Sequence, residues 1–294
     1  MDPNIVILAG GISSRMRKQT KESAMLDPEL LSDAERKSKA MIGVGAGSRP
    51  FLDYVLYNTE EAGYRHAILV IGEHDSSIIE YYGQSEQKAN FSRLNISYAF
   101  QAVPAGRQKP LGTADALLRA LEAVPSWRDR KFTVCNSDNL YSVKALQLLL
   151  HDTHQNAMID YDSSALQINP ARISDFAVTR KDADGFLIDI IEKPSQEEIR
   201  SDPKGRTGVS MNIFRFSYNA IYPFLDSVPL HPTRGEKELP SSVRMMVAEH
   251  PRSVFTIPLS ERVLDLTSQS DIPDVVKYLD KEFRDRFGKD ARRT

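Results

Sequence analysis

The sequence predicts an α/β fold in a single domain of 294 residues. The first observation behind this prediction is an apolar stretch at 5–9 that runs directly into two glycines, Gly10 and Gly11, as at the turn between a strand and a helix. The second is the alternation of short apolar strands with amphipathic helices along the first half of the chain, which is the rhythm of βαβ units. A more strand-rich half follows from about residue 157.

In the first half, the strands are predicted from compact apolar runs and the helices from apolar residues at helical spacing. One helix begins at Gly112 and Thr113, and another is capped near Ser142. The charged segment 17–38 has no sustained apolar face, and we expect a surface insert there. The remaining elements are predicted as strands at 67–71, 94–99 and 132–135 and helices at 51–62 and 76–83.

In the second half, a DADG turn at 182–185 predicts a hairpin between two of the strands. A last helix is expected from Ile272, with Val275, Val276, Leu279 and Phe283 on one face. The other predicted elements are strands at 157–161, 176–180, 187–191, 209–216 and 254–257 and helices at 218–225 and 237–248. No linker separates the two halves, so we expect one domain over 1–294.

Composition excludes several classes of protein. Hydrophobic residues make up 41% and charged residues 27% of the chain, and the net charge is −2, so the overall field attracts neither nucleic acid nor an anionic membrane. We therefore expect a small anionic substrate and no nucleic-acid or membrane partner.

The single cysteine, Cys135, excludes an internal disulfide and a cysteine-based zinc site. An acidic Asp2 and a short apolar run do not resemble a signal peptide, and we expect a soluble cytoplasmic protein. The oligomeric state is left open, a homo-oligomer included.

The turn after the first strand has the composition of a phosphate-binding loop. Gly10 and Gly11 would let the backbone approach a ligand, Ser13 and Ser14 offer hydroxyl donors, and Arg15 adds a charged fork. The alternative is a tight βα turn that binds nothing. Asp138 follows the strand at 132–135, where ligands of open α/β sheets bind, although it could equally serve only to shape a turn.

Eight separated motifs in one order resemble those of the sugar-1-phosphate nucleotidylyltransferases. The resemblance covers the chain from residue 5 to about residue 280. Departures from the pattern are Ser137 in place of a glycine, the absence of a glycine soon after Asp265, and the insert at 17–38. The motifs are LAGG-x-SSRM at 8–16, SK at 38–39 with RPFL at 49–52, Gln101 with PLGTA at 110–114, NSD at 136–138, EKP at 192–194, VSMNIF at 209–214, GE-x-x-L at 235–239 and LDLT at 264–267.

The resemblance implies a Rossmann-like three-layer sandwich with a mixed, mostly parallel central sheet. It also implies catalytic roles for Arg15, Lys39 and Lys193, and a Mg²⁺ cofactor held by Asp138 and Asp265. Glu192, Lys193, Ser210 and Asn212 would bind the sugar phosphate. The implied nucleotide-binding residues are Leu8, Ala9, Gly10, Gly11, Ser13, Ser14, Gln101, Gly112 and Thr113. Among the lysines near the loop we choose Lys39, because Lys18, Lys21 and Lys37 lie in a charged stretch where a solvated lysine is the default.

The implied activity is transfer of a nucleotidyl group from a nucleoside triphosphate to a sugar-1-phosphate, such as a hexose-1-phosphate, with release of pyrophosphate. We expect dTTP or UTP, because the amide of Gln101 can both donate to and accept from a pyrimidine edge. The alternatives are an adenylyl-, guanylyl- or cytidylyltransferase of the same fold and a catalytically silent homologue. Lys193 could also be an ordinary solvated lysine.

Overall fold

The computed structural model describes residues 2–11, 16, 27–84, 90–167, 170–200 and 207–287. Their strands are β1 Asn4–Leu8, β2 His66–Gly72, β3 Asn95–Gln101, β4 Lys131–Asn136, β5 Asn139–Leu140, β6 Ala157–Asp162, β7 Ala177–Lys181, β8 Leu187–Ile191, β9 Gly208–Ser210, β10 Phe214–Ser217, β11 Phe255–Leu259 and β12 Leu264–Asp265. Their helices are α1 Pro28–Arg36, α2 Phe51–Glu61, α3 Ser77–Gly83, α4 Thr113–Ala123, α5 Val143–His151, α6 Gln196–Arg200, α7 Tyr218–Ser227, α8 Leu239–Glu249, α9 Ile272–Glu282 and α10 Arg284–Phe287.

Ten of these strands form one sheet in the order β3-β2-β1-β4-β10-β6-β9-β7-β8, with β11 paired to β6. The strands β3, β2, β1 and β4 are parallel, as are β6 and β11, whereas β10 runs antiparallel between β4 and β6. The mixed, mostly parallel sheet of the prediction is confirmed.

Alternate residues of the central strand face opposite sides of the sheet. On β1, Ile5 and Ile7 belong to one buried apolar cluster, and Val6 and Leu8 belong to the other. The first cluster packs under helices that include α2, α5 and α9, and the second under α4, α7 and α8. A strand that is buried on both faces is apolar throughout, which is why 5–9 reads as an unbroken apolar run. Helices on both faces of the sheet confirm the predicted three layers.

The strand predicted at 209–216 is wrong as a single element. The backbone breaks between β9 and β10, where Asn212 adopts a positive φ of 54°, a left-handed conformation that no regular strand contains. The break separates two pairings, because β9 continues to β7 whereas β10 continues to β4. The sheet therefore forks at Asn212.

The part of the predicted insert that the structure describes contains a helix, α1. Asp27 caps it by accepting a hydrogen bond from the Glu29 N–H at 2.8 Å, and Pro28 occupies its first turn. Asp33 and Ala34 are buried on its inner side. The sequence did not indicate this helix, because a two-residue buried face is too short to show as apolar periodicity. Among the described residues, no helix combines the length and the apolar character that a membrane crossing requires.

Candidate active site

A cavity of about 600 Å³ opens at the carboxyl ends of the parallel strands. Residues 8–11 begin with the last residue of β1, Gln101 ends β3, and residues 136–139 begin with the last residue of β4, and all of them line the cavity. Loops from the second half of the chain complete the wall, including Lys193 and Asn212. Its size falls within the range of small-molecule sites.

Gly10 serves close packing rather than an unusual backbone conformation. A Cβ at Gly10 would lie 3.1 Å from the Gly72 nitrogen and 3.2 Å from the Ile71 carbonyl carbon, whereas a Cβ at Gly11 would meet nothing within 4 Å. Neither glycine has a positive φ. Gly10 therefore lets β1 end tightly against β2, and Gly11 leaves the cavity floor open. The predicted phosphate contacts from Ser13, Ser14 and Arg15 lie outside the described residues.

Gln101 and the start of α4 form one end of the cavity. The Gln101 Nε2 donates to the Gly112 carbonyl at 2.9 Å and to Asp115 Oδ2 at 2.7 Å. Both partners only accept, so this orientation of the amide follows from the chemistry. Gln101 has no N–H left for a ligand, and its carbonyl oxygen alone can meet a base. The expectation that Gln101 both donates and accepts is therefore corrected.

Gly112 is constrained by a neighbouring loop. Its φ is 109°, and a Cβ there would lie 2.6 Å from the Lys237 carbonyl oxygen. The Thr113 hydroxyl accepts a hydrogen bond from the Leu239 N–H at 2.9 Å. The segment before α8 therefore packs directly on the start of α4, and both line this end of the cavity.

Lys39 reaches the cavity from a single 3-10 turn, Lys39–Met41. Its Nζ lies 2.8 Å from Asp138 Oδ2, and the two side chains are 16% and 22% exposed. Lys37, in contrast, pairs with Asp33 at 2.8 Å at the end of α1. Lys39 is thus the lysine of this described segment that lines the cavity, whereas Lys18 and Lys21 lie outside the described residues.

Asp265 is brought beside Asp138 by a two-stranded ribbon that has no counterpart in the sequence prediction. In this ribbon β12 pairs with β5, and the Leu266 N–H donates to the Asp138 carbonyl at 2.8 Å. The carboxylate of Asp265 accepts hydrogen bonds from Asn139 (3.2 Å), from Thr267 (2.6 Å) and from Arg172 (3.2 Å). Burial and, second to it, the negative charge of Asp138 raise the pKa of Asp265 from 3.8 to about 6.

The donor set of this pair fits a hard divalent cation. The negative charge of Asp138 raises the pKa of Asp265, and a cation between two carboxylates relieves such repulsion. Mg²⁺ is often held by one or two carboxylates together with substrate phosphates. Of the four lone-pair positions on the Asp265 carboxylate, three receive hydrogen bonds. Within the described residues, no group of three or more His, Cys, Asp or Glu side chains could hold a metal, so substrate would have to complete the site.

Strand register brings Glu192 and Lys193 to the cavity wall. Ile191 pairs with Val178, which pairs in turn with Val209 across β7. The end of β8 therefore lies level with the fork of the sheet, and Glu192 and Lys193 follow it into the cavity. Lys193 has a φ of 50°, a conformation that costs a non-glycine residue on the order of 1–3 kcal/mol and is typical of ligand sites.

Asn212 is presented by a turn that buried groups hold in place. The Ser210 hydroxyl accepts from the Asn212 N–H at 3.3 Å, and the Tyr141 hydroxyl donates to the Met211 carbonyl at 2.6 Å. Ser210 itself is 2% exposed and does not line the cavity. In this structure Asn212 faces the cavity, and Ser210 supports it from beneath.

Charged cavity residues to which no role was assigned from the sequence include Arg234, Glu236 and Glu238. Arg234 pairs with Glu238, with the guanidinium Nε 2.5 Å from Oε1, and Glu236 lies between them in the chain. The neighbouring GE motif marked this loop, but it assigned no role to Arg234. Burial and the negative charge of Glu238, opposed by Arg234 and Lys193, raise the pKa of Glu192 from 4.5 to about 7.

Comparison with known proteins finds similarity over most of the chain. A family model described as nucleotidyl transferase matches residues 4–261. A glucose-1-phosphate adenylyltransferase of Rhodopseudomonas palustris (strain BisB18) is 24% identical over 221 residues, which are 74% of this chain and 48% of that protein. Glucose-1-phosphate adenylyltransferase 1 of Vibrio vulnificus (strain CMCP6) is 27% identical over 223 residues, which are 74% of this chain and 49% of that protein. The chain thus spans about half the length of these curated relatives.

The fold is also found among solved structures. A UDP-glucose pyrophosphorylase in complex with UDP-glucose superimposes with a TM-score of 0.69 at 16% identity, over 96% of this chain and 100% of that one. This likeness shows the fold alone. The family model covers most of the described strands and most of the residues that line the cavity, and the chain belongs to the nucleotidyl transferase family.

Proposed function

We propose that this protein transfers a nucleotidyl group from a nucleoside triphosphate to a sugar-1-phosphate, such as glucose-1-phosphate, and releases pyrophosphate. One observation carries the proposal. One cavity is lined by an amide and a helix start, by two residues with strained backbones next to a half-buried carboxylate, and by the Lys39–Asp138–Asp265 group at the strand ends. Such an arrangement can hold two phosphorylated substrates with their phosphates near Lys39.

In the proposed reaction a phosphate oxygen of the sugar-1-phosphate forms a bond to the α-phosphorus of the nucleotide. The bond from that phosphorus to the α,β-bridging oxygen breaks, and pyrophosphate leaves with the electron pair. The attacking oxygen is already anionic, so no side chain has to remove a proton from it. The protein's contribution is alignment of the substrates and neutralisation of charge on the phosphoryl oxygens.

The cations of the cavity match that requirement. Lys39 would neutralise charge at the α-phosphate, and Lys193 and Arg234 would meet the sugar phosphate from the opposite wall. Glu192 would accept hydrogen bonds from sugar hydroxyls, with Asn212 beside it. Bound Mg²⁺, held by Asp138 and Asp265, would add positive charge at the phosphate oxygens of the nucleotide.

For the nucleotide we propose UTP or dTTP. The Gln101 carbonyl oxygen, which is left over after Nε2 is used, would accept from the N3–H of uracil or thymine. The same oxygen could accept from the amino group of adenine, and the curated relatives are adenylyltransferases. ATP is therefore the second candidate.

Pyrophosphate release tests the proposal. Purified protein is given Mg²⁺, glucose-1-phosphate or another hexose-1-phosphate, and UTP, dTTP, ATP, GTP or CTP in turn. We expect turnover that needs both substrates, is faster with UTP or dTTP, and falls at least about a hundredfold in Asp138→Ala. Faster turnover with ATP would overturn the nucleotide assignment. Near-wild-type turnover in Asp138→Ala at saturating Mg²⁺, or none with any pair of substrates, would overturn the assigned reaction.

A further inference from the structure

Helix α1, within the segment that sequence patterns predict to be a surface insert, contacts the loop that carries Lys39. The carboxylate of Asp33 accepts a hydrogen bond from the backbone N–H of Gly43 at 3.1 Å. Asp33 is 9% exposed, and the ammonium of Lys37 lies 2.8 Å from the same carboxylate. A buried, charge-assisted hydrogen bond of this kind is among the stronger contacts available to a backbone N–H.

The contact is close enough to require glycine at position 43. A Cβ on Gly43 would lie 2.8 Å from the Ser48 carbonyl oxygen and 3.2 Å from Asp33 Oδ2. Gly43 has no positive φ, so glycine is needed here for space and not for conformation. Asp33 of α1 and the backbone of Ser48 therefore both pack against Gly43.

Gly43 is linked to Lys39 through the backbone hydrogen bonds of its neighbour Ile42. The Ile42 N–H donates to the Lys39 carbonyl at 3.3 Å, and the Ile42 carbonyl accepts from Val44 at 2.9 Å and from Phe51 at 3.1 Å. Ile42 is thus tied to Lys39 on one side and to the start of α2 on the other. A shift of Gly43 would move the turn from which the Lys39 side chain extends.

We propose that Asp33 is a positioning residue for Lys39, and that α1 acts as a clamp that holds the Lys39 turn at the end of β4. This inference rests on the proposed function, in which Lys39 meets the α-phosphate. Alignment of a catalytic charge is sensitive to small movements, and a misplacement of about 1 Å can cost a hundredfold in rate. Segment 27–36 thus contributes to catalysis by positioning Lys39, without contacting substrate.

The test is a double-mutant cycle on kcat. Asp33→Ala should lower kcat by about tenfold or more while the KM for UTP or ATP changes by less than about threefold, because the lost contact positions a charge without binding substrate. In a Lys39→Ala background, measured in single turnovers, the same substitution should change the rate by less than about twofold. Asp33→Asn keeps an oxygen acceptor for Gly43 and should recover most of the rate, and it also serves if Asp33→Ala folds poorly. Glu35→Ala removes an exposed carboxylate from the same helix and should leave kcat unchanged.

A second readout does not depend on turnover. Hydrogen exchange in peptides that contain Gly43 should be faster in Asp33→Ala than in wild type, and unchanged in Glu35→Ala. The proposed clamp would be overturned if Asp33→Ala lowered the rate equally in the wild-type and Lys39→Ala backgrounds. An unchanged kcat in Asp33→Ala would also overturn it. If wild type turns over no pair of substrates, the proposed function fails, and the exchange of Gly43 still decides whether Asp33 holds the loop.

Discussion

Glu192 should make the stability of this protein depend on pH in a way that one substitution removes. Its carboxyl group lies in the cavity wall, and burial with the nearby charge of Glu238 raises its pKa from 4.5 to about 7. The native protein thus binds this proton more tightly than the unfolded chain does. Protonation favours the folded state, so the contribution of Glu192 to stability falls as pH rises from about 4.5 to about 7.

The size of this effect follows from the two pKa values. A tenfold difference in proton affinity is worth about 1.4 kcal/mol, so the rise from 4.5 to about 7 corresponds to at most about 3 kcal/mol above pH 7. Part of the side chain remains exposed to cavity water, which reduces this figure to about 2 kcal/mol. Glu192→Gln removes the ionisable group and should raise the free energy of unfolding by about that amount at pH 8, and by less than about 1 kcal/mol at pH 5.

Urea unfolding of wild type and Glu192→Gln at pH 5 and pH 8 measures this difference. Glu197→Gln, which removes an exposed carboxylate on α6, is the matched control and should show no such pH dependence. The same Glu192→Gln variant should lose turnover, since the carboxylate faces the proposed sugar site. A stability difference that is equal at the two pH values would refute the reasoning, because it would show that Glu192 is not held protonated by its surroundings.

Three further outcomes are expected. Asp265→Asn should reduce turnover at least about a hundredfold at saturating Mg²⁺ with a native circular dichroism spectrum, and a reduction below about tenfold would exclude Asp265 from a metal site. Arg172→Met should weaken Mn²⁺ binding by about 10–100-fold in paramagnetic resonance titrations, because Arg172 orients the carboxylate of Asp265; tighter binding would show that Arg172 competes with the metal. Gly112→Ala places a Cβ 2.6 Å from the Lys237 carbonyl at a φ of 109° and should lower the free energy of unfolding by about 2–3 kcal/mol. Gly11→Ala, where the added Cβ meets nothing within 4 Å, is its control in the same urea titrations, and equal losses would remove the steric explanation.

The elements that sequence patterns predicted well are those whose burial is periodic. Strand β1 is buried on both faces, and α4 carries Leu117, Leu118 and Leu121 on a buried side. Apolar residues at such spacing are a local property of the chain, so the pattern predicts the element. The motifs at the ends of these strands then located one side of the cavity, because strand ends of a parallel sheet meet at one edge.

The features that were missed depend on contacts between distant parts of the chain. The family resemblance implies the pair Asp138 and Asp265, but the ribbon that joins them has strands of two residues each, β5 and β12, and two residues give no periodicity. The fork at Asn212 depends on β9 and β10 pairing with different neighbours, which no local pattern reports. The roles of Arg172 and of Asp33 likewise exist only once separate segments have packed.

The place of β1 inside the sheet, with a partner strand on each side, has a consequence during protein synthesis. Ile5 pairs with Ala67 on one side and with Thr133 on the other. At ribosomal rates of about 5–20 residues per second, the second partner emerges on the order of ten seconds after the first strand. During that interval an apolar strand with an unsatisfied edge is exposed, which is a hazard for aggregation. Newly made chains of this protein should therefore depend on chaperones until residues 131–136 have left the ribosome.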